Sequence, residues 1–117
     1  VDERLRAELH RACAGGGSAA DDAAVALGAG PVSQRLRSAI RALAQHRGHG
    51  SSICPSDAAR AVGGKGWRDL MADATAAARE LARDGSVSIT QGGRVIDPDA
   101  DWRGPIRIRT CEPPPAP

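Results

Sequence analysis

Hydrophobic positions recur at helical spacing through most of the chain and alternate with polar ones only near its end. The longest helical face is Trp67, Leu70, Met71, Ala74, Ala77, Ala78 and Leu81. That recurrence predicts a helix over 67–83, stopped by Gly85. Upstream, Leu36, Ala39, Ile40, Leu43 and Ala44 line one face of a helix expected over 34–46, with Ser33 placed to cap its first amides and Gly48 to end it. Between the two, Ile53 reads as a short extended piece. Pro55 suits a first helical position and Asp57 a first turn, so a short helix is expected over 55–62, ended by Gly63-Gly64-Lys65-Gly66. Then the period changes. Ser86 to Thr90 alternates as a half-buried strand, Gly92-Gly93 supplies a turn and Arg94-Val95-Ile96 returns, which predicts a hairpin near 86–97. Ile106 and Ile108 alternate with Arg107 and Arg109, so a last strand there buries the isoleucines and exposes the arginines.

The ends carry weaker patterns. Leu5, Leu9, Ala12 and Cys13 suggest a short amphipathic helix over 3–13, broken by Gly15-Gly16-Gly17-Ser18. Residues 18–31 are mostly Ala, Gly, Asp and Val and read mainly as a flexible linker. Pro113-Pro114-Pro115 cannot continue a sheet, so 111–117 is expected to be a disordered tail. The expected organisation is an N-terminal extension over 1–33, a folded domain over 34–110 and that tail. Short helix, turn, longer helix and two-stranded wing place the domain in the α+β class, as a winged helix-turn-helix of three helices and a C-terminal β-hairpin wing.

Composition narrows the picture. The chain has 117 residues with Phe 0, Tyr 0 and Trp 2, so its core is built from aliphatic side chains, and a core so small gains from dimerisation. A homodimer using the stripe on 3–13 is the expectation. No apolar run of membrane-spanning length occurs. The first residues lack the basic-then-apolar layout of a secretory signal, and three widely spaced cysteines form no close pair, so a cytoplasmic location with reduced thiols is expected. Residues 1–33 carry three basic and five acidic side chains, whereas 34–111 carry thirteen and eight, a net +5 that suits phosphate binding without demanding it.

Several motifs stand in one order: Cys54-Pro55-Ser56, Ala59-Arg60, Trp67-Arg68 followed by Met71, Gly92-Gly93, and Gly104-Pro105-Ile106-Arg107. In these, over roughly 34–109, the chain resembles a small bacterial domain family of unknown function. The resemblance implies a winged-helix-like fold and no particular substrate, cofactor or partner.

Two functions follow from a winged helix. The first is double-stranded DNA binding, in a transcription-associated role, with Lys65 and Arg68 near the start of the third helix and Arg60, Arg94, Arg107 and Arg109 reaching phosphates. Gln91 at the wing is read as solvated. The second is a protein-interaction module, favoured by Asp69 and Asp73 on the same helix and by the alanine run 74–78, which offers almost no hydrogen-bonding side chains for reading base edges. No enzyme, cofactor or metal is expected. His46, His49 and Cys54 flank one glycine-rich loop without zinc-ligand spacing. Cys54 has no arguable general base and reads as a small thiol beneath its helix. Gly63-Gly64-Lys65-Gly66 lacks the phosphate-loop pattern, and Asp97, Asp99 and Asp101 lack the closing glutamate of a calcium loop. Trp67 is expected in the core, and Trp102 over a sheet edge or on a partner surface.

Overall fold

The computed structural model describes residues 3–48 and 51–110 of the protein. The fold grows around one central helix. Helix α3 (Val32–Arg47) buries Leu36, Ala39, Ile40, Ala42, Leu43 and Ala44, an apolar surface wide enough to be covered from several sides. Helices α1 (Glu3–Ala14) and α2 (Gly17–Leu27) cover it on one side. On the other lie α4 (Pro55–Gly63), α5 (Met71–Arg83) and the last strand. A 3₁₀ segment, Gly64–Leu70, joins α4 to α5.

Strands β1 (Val87–Gln91), β2 (Arg94–Val95) and β3 (Arg107–Thr110) form an antiparallel sheet in the order β2-β1-β3. Gly92 and Gly93 both have positive φ, 58° and 83°, which is the backbone a two-residue hairpin needs and which only glycine adopts cheaply. Register places Ile89 opposite Ile108 and Ser88 opposite Arg109. Ile53 adds one more rung beyond β3. Its amide donates to the Ile108 carbonyl and the Ile108 amide donates back, each at 2.7 Å. Ile53, Ile89, Ile106 and Ile108 are all buried as the alternation over 106–109 leads one to expect, whereas of the two arginines Arg107 is exposed and Arg109 half-buried.

Three expectations require correction. Residues 17–27 form helix α2, where a flexible linker was expected. Ala19, Ala20, Ala23, Ala24 and Ala26 favour helix, and Ala23 and Ala26 are fully buried, because small side chains let α2 lie close against α3. The Arg35 Nε donates to the Ala26 carbonyl at 3.0 Å, and Arg41 pairs with Asp22, so the helix is also pinned by charge. Residues 3–27 are therefore no loose extension: Leu5, Leu9, Ala12, Ala23 and Ala26 belong to the same core cluster as α3. The stripe expected to meet a second copy is covered by its own chain.

Second, Ser33 lies inside the first turn of α3. The helix begins at Val32 after Pro31, with no side-chain cap. Third, the helix expected over 67–83 starts at Met71. Gly64 and Gly66, poor helix formers, leave 64–70 in 3₁₀ geometry. As a result Trp67, Leu70 and Met71 are half-buried against the core rather than inside it. The expected tail, 111–117, lies outside the described residues.

Candidate nucleic-acid interface

The α4 start is set by local chemistry. Pro55 occupies the first helical position, and Asp57 forms a capping box with Cys54, accepting the Cys54 amide at 3.0 Å. Helix α4 then carries Arg60 toward the 3₁₀ segment. The Arg60 guanidinium lies 4.4 Å from the Trp67 ring centroid and that of Arg68 lies 4.7 Å from the same ring. Trp67 thus gathers two of the candidate cations at the α4–α5 junction through cation–π attraction. Lys65 is exposed in the same segment. The structure brings Arg60, Lys65 and Arg68 into one short stretch of surface.

The sheet arginines divide. Arg94 is exposed on β2, opposite Gln91. Arg109 is half-buried on β3. Arg107 is committed elsewhere: Nε donates to the Ser52 hydroxyl at 2.8 Å, Nη2 to the Ser52 carbonyl at 2.8 Å, and Nη1 to the Cys54 sulfur at 2.7 Å. It latches β3 to the segment entering α4. Gln91 is not merely solvated, because its amide donates to the Arg103 and Pro105 carbonyls and holds the loop between β2 and β3.

The exposed residues of helix α5 are Ala72, Asp73, Ala76, Glu80 and Arg83. Its cations face inward or pair. Arg83 binds Asp99, and Glu80 binds Arg37 at 3.1 Å. Arg79 donates to the Pro98 and Ala100 carbonyls at 2.7 and 2.9 Å and stacks 3.8 Å from the Trp102 ring centroid. Trp102 in turn donates its indole N–H to the Asp97 carbonyl at 2.8 Å. The loop 97–102 is therefore an ordered flap fastened to α5, with Asp97 and Asp99 serving as internal partners.

Residues 33–111 match the family model of DUF3253, a protein family of unknown function. The chain belongs to DUF3253. No curated protein matches it. The matched segment begins at the start of α3, so in this member of DUF3253 helices α1 and α2 precede the family segment while completing its core.

A two-point ion pair of this DUF3253 protein joins those two parts, and nothing in the sequence pattern announces it. Arg47 forks onto Glu8, with Nε to Oε2 at 2.9 Å and Nη2 to Oε1 at 3.0 Å, while Nη1 donates to the Ser52 carbonyl at 3.2 Å and lies 3.5 Å from Asp57. The hydrogen bond from Arg47 holds the Glu8 carboxyl below the ordinary carboxylate range, although burial opposes the shift. The same bond raises Arg47. Asp84 is likewise lowered, first by the Ser86 hydroxyl and then by the Ser86 amide. Among the described residues no three His, Cys, Asp or Glu side chains gather in metal-binding fashion. His49, one of the histidines weighed for metal, lies outside them.

Proposed function

We propose that the segment 32–110 is a winged-helix module that binds double-stranded DNA through its phosphate backbone. The observation that carries this reading is the pairing of Ile53 with Ile108. It gives the order helix α3, short extended piece, helix α4, helix α5, β1, wing and β3, with the short piece closing the sheet beside the last strand, which is the connectivity of a winged helix. The wing is the segment 92–106, tied back by Gln91. Lys65 and Arg68 before α5, Arg94 on the wing and Arg109 on β3 are the phosphate-contacting groups. Arg60 contributes by stacking on Trp67, and Arg107 acts in the fold rather than on the ligand. Apart from Arg83, which is held by Asp99, the exposed face of α5 lacks the Arg, Asn and Gln side chains that pair bidentately with base edges, which favours binding with little sequence dependence. No covalent chemistry is assigned to the module, and it is expected to work in the cytoplasm.

A second reading, a protein-interaction module, is favoured by the same α5 face, since Asp73 and Glu80 repel phosphates. Titration of labelled random duplex at two salt concentrations separates the two. DNA binding through phosphates weakens steeply as salt rises and depends little on sequence. Absence of binding at low salt leaves the protein-interaction reading.

A further inference from the structure

A cleft of about 300 Å³ opens between the start of α4, one flank of α5 and the loop 102–106. That size lies at the lower end of small-molecule sites. Its walls are of two kinds. Pro55, Met71, Trp102, Pro105 and Ile106 make an apolar surface. Ser56, Thr75 and Arg79 place two hydroxyls and a guanidinium on it.

The polar groups are donors still open to a ligand. Among the described residues the Ser56 and Thr75 hydroxyls form no hydrogen bond. Arg79 spends Nη1 on the Pro98 and Ala100 carbonyls, which leaves its Nε and Nη2 donors open while Trp102 fixes the plane of the group. No carboxylate lines the cleft. Asp57, next to Ser56, is turned toward the Cys54 amide and Arg47, and Asp99 toward Arg83, while Asp101 is exposed beside Trp102 and does not line the cleft. Arg107 is not itself a lining residue but holds a second positive charge against the sulfur of Cys54, which is one. A pocket with an oriented guanidinium, two free hydroxyls, apolar walls and no acid is complementary to an anion carried on an apolar body.

We propose that this cleft binds a small organic anion, a carboxylate or phosphate on a compact apolar group, with Arg79 and the Ser56 and Thr75 hydroxyls holding the head and Met71, Trp102 and Ile106 covering the body. The site is separate from the surface of Lys65, Arg68 and Arg94, so it stands or falls independently of DNA binding.

The test uses the full chain and three probes: phenylacetate, phenyl phosphate and the uncharged phenylacetamide. In amide NMR titrations, at least one anion should give saturable shifts at Ser56, Thr75 and the Trp102 indole at millimolar concentration or below, with phenylacetamide at least about tenfold weaker. The tighter anion identifies the head group. Arg79→Gln should weaken binding about tenfold or more. Because Arg79 also fastens the loop, Thr75→Val serves as a shape-preserving second variant, expected to weaken binding several-fold. Saturating anion should also slow alkylation of Cys54, which lines the cleft, and leave exposed Cys13 unchanged. Failure of both anions to saturate, equal binding of the amide, affinity unchanged in Thr75→Val, or unprotected Cys54 overturns the proposal.

Discussion

Arg47 shows how single residues tie this molecule together. One guanidinium serves Glu8 on α1, the carbonyl of Ser52 and, at longer range, Asp57 on α4. Glu8 sits lowered in the folded state, so its contribution is complete above the unfolded glutamate value of about 4.3 and is lost as the pH falls through the lower folded value. Urea unfolding at neutral pH and at progressively acidic pH should show that loss, and Glu8→Gln should flatten it while costing about 1–3 kcal/mol at neutral pH. An unchanged acid profile in the variant would remove the pair from the account. The arginines of the sheet invite a contrast. Arg107→Ala releases the latch on Ser52 and Cys54 and should lower stability by about 1–3 kcal/mol. Arg94→Ala, on an exposed edge, should leave stability within about 0.5 kcal/mol and weaken duplex binding instead. The opposite assignment of effects in paired denaturation and binding assays would reverse the roles given to these two residues.

Among the elements, α1 and α2 change the picture most. Leu9 is fully buried in the same cluster as Leu36, Ile40 and Leu43. Leu9→Ala should therefore cost about 2–5 kcal/mol in denaturant unfolding, as for any core leucine. A loss under about 0.5 kcal/mol would mean that the N-terminal helices are ornament after all. The sequence made α3, α4 and the hairpin legible, because Leu36 through Ala44, Pro55 with Asp57, and the Gly92-Gly93 pair are strong local signals. It hid α2, since a helix that packs with alanines has no large apolar stripe to count. It also hid the 3₁₀ segment, where Trp67, Leu70 and Met71 continue an apparent α-periodicity across a glycine-rich turn. The candidate interface was half legible. Lys65, Arg68 and Arg94 stand exposed as their positions suggested, but Arg107 and the flap held by Arg79 and Trp102 depend on contacts between distant segments that periodicity cannot report.

At the scale of the whole molecule, one aliphatic core is shared by α1 and α2, the central α3, and the α4–α5 pair with its small sheet. Among the described residues Lys65, Arg68 and Arg94 are exposed on the second part and Arg4 and Arg11 on α1, whereas many of the other arginines are consumed by carboxylates, carbonyls and aromatic rings. On the proposed reading, DNA binding by such a surface would rest on few phosphate contacts, so affinity should be modest and its salt dependence countable. The most direct measurement is the slope of log affinity against log salt for a random duplex, compared between the native chain and Lys65→Ala combined with Arg94→Ala. Each lost phosphate contact should make the slope shallower by about 0.9, hence by roughly 1.8 for the pair, with unfolding free energy nearly unchanged. An identical slope in the two proteins, or no duplex binding by the native chain at low salt, would contradict the assignment of this face to DNA.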